Sequence, residues 1–267
     1  MSKLLIKATA PDQQGRTISV TPQSAGWAYV GFEVFKLHDG QTIKGNSGAF
    51  EICLVVLAGH GNIEVDDQAF NGLGTRESVF DPIAPDAVYL PPGLDYAVTA
   101  TGDLELGVCK APGKGTHPVR RIPTDSMSME KRGMGNNIRH VCNILPETEP
   151  ADSLLVVEVI TPAGNASSYP PHKHDVDNLP QESLLVETYY HRLEPSKGFA
   201  FQRVYTDDRT LDETMTIENG DVVLVPKGYH PVATVHGYDL YYLNVMAGPK
   251  RAWQFYNDPQ HQWILES

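Results

Sequence analysis

Two stretches lying half a chain apart carry the same turn in the same place. VYLPPGLDYAVTATGDLEL (88–106) aligns with VLVPKGYHPVATVHGYDLYYL (223–243) at an offset of 135 residues. Val88 meets Val223, Pro91 meets Pro226, Gly93 meets Gly228, Thr99 meets Thr234 and Gly102 meets Gly237. At an offset of 136, Glu51 meets Glu187 at the head of another pair of apolar runs. Such a spacing is far too long for a solenoid unit. In a chain of 267 residues it predicts a duplicated domain. The runs between turns, such as FEICLVVLAG (50–59), FAFQRVYT (199–206) and DVVLVPKG (221–228), are short and rich in Val, Ile, Tyr and Phe. That is the pattern of strands rather than helices. The expectation is an all-β chain: an N-terminal domain over 1–126, a linker over 127–153 and a C-terminal domain over 154–267. The expected linker, MSMEKRGMGNNIRHVCNILPETEPADS, is polar and ends in Pro-rich sequence.

The chain carries 33 acidic against 21 basic residues, a net charge of −12. That excess argues against binding to nucleic-acid phosphates or to an anionic membrane. No apolar run approaches a membrane span, and the first residues lack the apolar stretch of a signal peptide. Three cysteines, Cys53, Cys109 and Cys142, stand singly and suit buried thiols in the cytoplasm.

The ten histidines concentrate in the second half. His172 and His174 are two apart in PPHKHD, so on a strand both imidazoles share a face and Lys173 points away. In ETYYHRL, Glu187, Tyr189 and His191 alternate onto one face. His230 follows the Pro226–Gly228 turn. Three imidazoles and one carboxylate suit a divalent metal, zinc first, with manganese, iron or nickel also compatible. Twelve residues separate His174 from Glu187, and that insert holds a second candidate ligand, Glu182. Glu187 is preferred because it heads a Tyr-rich apolar strand. The first half has Asp95 where the repeat places His230, and only a lone His38 before Glu51. The metal chemistry is therefore expected in the second half alone.

The histidine pair, the later Glu and the Pro-x-Gly-x-His turn resemble the two halves of the cupin signature, which implies a bicupin of two jelly-roll-like β-barrels. Two spacings depart from that signature: the long His–Glu insert, and a turn one residue short before His230. The longer run from GMGNNIRHV (133–141) through HKHD, ETYYHRLEPSKGFAFQRVYTDDRTLDETM and VLVPKGYHPV resembles the 5-deoxy-glucuronate isomerase family of bacterial inositol catabolism. That resemblance implies an aldose–ketose isomerase acting on a small sugar acid, with one metal ion on His172, His174, Glu187 and His230. An iron-dependent cupin dioxygenase and a non-catalytic sugar-acid-binding cupin are the competing readings. A homo-oligomer is compatible with the exposed sheet edges of bicupins.

For proton transfer the candidates are His191 and Tyr189. Proton transfer and hydride shift both remain open as mechanisms. For the substrate carboxylate the first choice is Arg203, set among Phe199, Phe201 and Tyr205 by alternation. Lys250, Arg251 and Tyr241 are further substrate-binding candidates.

Overall fold

The computed structural model describes residues 2–266. Its regular secondary structure is almost entirely strand, and it divides into two units that do not follow the simple halves. One unit holds Ala8–Ser128 and Cys142–Val157. The other holds the residues up to Lys7, then Met129–Val141, then Glu158 onward. The segment expected as a linker is thus not one. It forms the strands Ser128–Arg132 and Arg139–Leu145, and the passage between units falls inside it. Val141, Cys142, Ile144 and Leu145 form a short buried apolar run around Asn143, a strand signal that the charged and Gly-rich start of the segment obscured.

The first unit is built on an eight-stranded antiparallel sheet. Its spine is the long pair Phe50–Val65 and Asp95–Pro112, with Asp86–Leu90 on the other side of Phe50–Val65. Ile52, Leu54, Val56, Val88, Leu106 and Val108 pack inward from these strands and are fully or almost fully buried. Each such side chain contributes about 1.5–3 kcal/mol of transfer free energy. Glu51 is also fully buried. Its carboxylate accepts hydrogen bonds from the backbone N–H groups of Asp152, Ser153 and Leu154 and from the Tyr89 hydroxyl. A buried carboxylate needs such partners, and here all four come from within the unit.

The second unit has a seven-stranded sheet and a four-stranded sheet. In the larger sheet, Leu5–Ile6 lies at the edge against Val222–Val225, followed by Val186–Glu194 and Asp239–Ala247. The smaller sheet contains Ala166–Ser167, Val232–Thr234, Phe199–Tyr205 and Asp212–Glu218. The duplication seen in sequence is visible in the pairing. Phe50–Val65 lies between Asp86–Leu90 and Asp95–Pro112, just as Val186–Glu194 lies between Val222–Val225 and Asp239–Ala247. Glu51 and Glu187 head the equivalent central strands. Among the described residues, no helix is long and apolar enough to cross a membrane.

Candidate metal centre

The twelve-residue insert between His174 and Glu187 forms a hairpin. Asp175–Asn178 turns back onto Glu182–Leu184, with Asp175 opposite Leu184. The hairpin returns the chain so that Glu187 lies beside the histidines, its Oε2 3.1 Å from His174 Nε2 and 3.3 Å from His230 Nε2. Glu182 points elsewhere and receives the Lys173 ammonium at 3.1 Å. The short turn before His230 is accommodated by Gly228, which has φ 90°. Tyr229 then pairs with Tyr205 in an isolated antiparallel bridge, and His230 ends fully buried.

The coordinating atoms of His172, His174 and His230 lie within 4.8 Å of one another. Each ring is fixed from behind. His174 Nδ1 donates to the Leu185 carbonyl at 3.0 Å, and His230 Nδ1 donates to the Gly228 carbonyl at 2.9 Å. His172 is hydrogen-bonded to the backbone of Pro170. For His174 and His230 this sets the proton on Nδ1 and leaves Nε2 as a lone-pair donor facing the common point. His230 Nε2 is buried with no hydrogen-bond partner. An orphaned acceptor beside two more imidazoles and a carboxylate is what a divalent ion would complete, so the donor set fits one metal ion. The electrostatics agree. Burial, then the neighbouring imidazoles and Arg139, push His172 well below its ordinary pKa. Burial lowers His230 to about 4. His174 is the exception: burial is again the largest influence and acts to lower it, but the Glu187 hydrogen bond, the Glu187 charge and backbone hydrogen bonds together outweigh that and raise it.

The centre opens onto a cavity of about 120 Å³. Glu187, His172 and Tyr189 line it, together with Arg139, Tyr242 and Asn244. Tyr189 donates to or accepts from Ser168 at 2.9 Å, and Tyr242 contacts Ser167 in the same way. Burial, then the Glu187 charge, raises the Tyr189 phenol well above its ordinary pKa, so it stays protonated.

The other candidates lie elsewhere. His191 is fully buried off the cavity lining, its Nε2 3.0 Å from Gln202 Oε1. Arg203 faces outward. Its Nε and Nη2 each lie 2.7 Å from an Asp212 oxygen. Alternation along Phe199–Tyr205 buries Ala200, Gln202 and Val204, leaving Phe199, Phe201 and Arg203 on the exposed face. Those two aromatics made the wrong face read as core. Lys250 is exposed and paired with Asp177 at 2.9 Å, and Arg251 beside it does not line the cavity. Tyr241 points to the face opposite Tyr242 and donates to Glu158 at 2.9 Å. Arg139, Tyr242 and Asn244 were missed as site residues. Tyr242 and Asn244 alternate on one strand and so carried a signal, whereas Arg139, in the Gly-rich GMGNNIRHV segment, carried none of periodicity.

Three imidazoles and a carboxylate, His172 and Glu187 on strands and His174 and His230 in the connections beside them, in a chain whose two units share one strand order, define a protein of the cupin class. Solved structures agree on the fold. An oxalate decarboxylase from Lactobacillus farciminis, in complex with formate, superposes with a TM-score of 0.67 at 12% identity, covering 100% of this chain and 91% of that one. The chain belongs to the KduI/IolB family, whose model matches residues 4–264. An IolB-like protein from Salmonella typhimurium LT2 has a TM-score of 0.95 at 53% identity, covering 98% of this chain and 99% of that one. A curated 5-deoxy-glucuronate isomerase from Geobacillus thermodenitrificans (strain NG80-2) is 57% identical over 100% of this chain and 97% of its own. The Bacillus subtilis (strain 168) protein of the same name is 50% identical over 92% of each.

Proposed function

We propose that the protein is an aldose–ketose isomerase that interconverts 5-deoxy-glucuronate and 2-deoxy-5-keto-gluconate, using one divalent ion on His172, His174, Glu187 and His230. The observation that carries this reading is the gathering of three imidazoles and Glu187 beside a small cavity that His172 and Glu187 line, in a chain of this family. A divalent ion held there would supply Lewis-acid polarisation of the substrate's carbonyl and neighbouring hydroxyl oxygens. Zinc heads the order of metals for such a donor set. The protein's own groups orient the sugar. Tyr189 is a protonated donor for a substrate oxygen, and Ser168 holds its phenol in place. Tyr242, tied to Ser167, presents a second hydroxyl from the neighbouring strand of the same sheet. The cytoplasm is the compartment that suits three free, buried cysteines.

The test is NMR of 5-deoxy-glucuronate incubated with purified protein, before and after chelation and after return of single metals. The expected result is appearance of the ketose, loss on chelation and recovery with one divalent metal, without oxygen uptake. Substrate-dependent oxygen uptake would replace this reading with a dioxygenase. Binding without turnover in every metal form would leave a sugar-acid binder.

A further inference from the structure

The segment GMGNNIRHV folds as a tight turn leading into the strand Arg139–Leu145. Gly133 makes the turn possible. It has φ 80°, and a Cβ there would sit 1.8 Å from the Asn137 carbonyl oxygen and 2.8 Å from Arg139 Nη1. With that space free, Arg139 Nη1 donates to the Asn137 backbone oxygen at 3.1 Å and to Asn137 Oδ1 at 3.2 Å. Asn137 Nδ2 in turn donates to the Tyr169 carbonyl at 2.9 Å. One corner of the guanidinium is therefore anchored to the backbone. Its other edge, Nε and Nη2, makes no hydrogen bond to the described residues, and none of their carboxylates lies within ion-pair distance of it. The neighbouring Arg132 differs, since its Nη2 is paired with Glu130.

This is an unusual state for a half-buried arginine in a chain with 33 acidic residues. Burial lowers its pKa, the Tyr242 phenol offsets this only in part, the Arg132 charge adds to the lowering, and no carboxylate counters it. The same cavity holds a second unsatisfied donor. Asn244 is only 4% exposed, and its Nδ2, beside the Tyr189 phenol, makes no full hydrogen bond. A cation with its fork edge free and a buried amide with a free N–H in one cavity both lack an acceptor. The Nε–Nη2 edge matches a carboxylate in bidentate geometry.

We propose that Arg139, with the Asn244 side-chain amide as its second donor, seats the carboxylate of the substrate and sets the enzyme's preference for sugar acids over neutral sugars. This rests on the isomerase reading above for the identity of the substrate, and it assigns to Arg139 the role expected of Arg203.

The experiment compares 5-deoxy-glucuronate with 5-deoxyglucose, which carries a hydroxymethyl group in place of the carboxylate. Both are measured with metal-loaded wild-type, Arg139→Gln, Arg139→Lys and Asn244→Ala proteins, as kcat/KM by NMR and as Kd by calorimetry. Metal content and Tm are read on the same samples. The wild-type protein is expected to prefer the acid, and Arg139→Gln to cut that preference by about 100-fold. Arg139→Lys keeps the charge but loses the fork, and is expected to fall between. Asn244→Ala is expected to cut the preference by about tenfold, and it tests the site even if the Arg139 variants do not fold. The proposal is overturned if wild-type protein binds both compounds equally. It is also overturned if the acid-to-neutral ratio in the folded variants stays within about threefold of wild type. Should wild type bind the acid but turn over neither compound, the isomerase reading fails, and the Kd ratio alone still decides the role of Arg139.

Discussion

At the scale of single residues, burial separates histidines that hold a ligand from one that holds the structure. His172, His174 and His230 turn a nitrogen toward a shared point, whereas His191 donates to Gln202, and Gln202 Nε2 donates to the His230 carbonyl at 3.3 Å. His191 is thus two hydrogen bonds behind the centre. Burial lowers its pKa to about 3, against about 6.5 when unfolded. Between these values the unfolded chain takes up a proton that the folded chain refuses. Stability from this group is therefore complete above about pH 6.5 and is lost as pH falls toward 3. His191→Gln retains a donor toward Gln202 and removes the titration. Its Tm should fall less steeply than that of wild type between pH 6.5 and 4.5, with kcat/KM at neutral pH changed by less than about tenfold. Melting curves across that range check the first expectation. A loss of turnover by several orders of magnitude in folded, metal-loaded protein would restore His191 as the base.

The element that most decides the centre is the turn Pro226–His230. A Cβ on Gly228 would lie 2.4 Å from the Tyr205 carbonyl oxygen, at φ 90°. The Gly228 N–H donates to Asp175 at 2.8 Å, and its carbonyl receives His230 Nδ1. Gly228→Ala combines left-handed strain of about 1–2 kcal/mol with a backbone collision. It should lower Tm by roughly 5 °C or more and weaken metal retention by about 10–100-fold, through the displaced His230 support. Dialysis against a graded chelator, with metal assayed afterwards, measures the second effect. The same elements show how far the sequence could be read. Strand faces around Glu187 follow from a period of two, and the repeat exposed the common strand order. The hairpin Asp175–Leu184 hid the ligand spacing, yet the apolar strand after it identified Glu187. The carboxylate anchor was misassigned because Phe199 and Phe201, 37% and 41% exposed, imitate a buried face. Arg139 escaped notice because its significance lies in partners it does not have, which no linear pattern records.

For the whole molecule, the consequential feature is that the metal-bearing unit is assembled from three separated stretches of chain. Leu5 and Ile6 pair with Val223 and Val222, and Lys7 Nζ reaches Glu218 at 2.7 Å and Asp221 at 2.8 Å. That edge strand covers Val222–Val225, which runs directly into the Pro226–His230 turn. Removal of residues 2–7 should therefore lower Tm and metal content together. The fragment 154–267, which sequence alone suggested as a domain, should neither fold cooperatively nor retain metal by itself. Circular dichroism melts and metal analysis of both chains test this, and a stable, metal-loaded 154–267 fragment would contradict it. The interleaving also imposes an order on biogenesis. The stretches Ala8–Ser128 and Cys142–Val157 have all been synthesised while more than a third of the 267 residues are still untranslated, so that unit can condense first. Leu5 and Ile6, by contrast, find their partner strand only after position 225 has been synthesised. Until then they form an unpaired tail on the nascent chain, and the histidine centre is the last part of the protein to become competent.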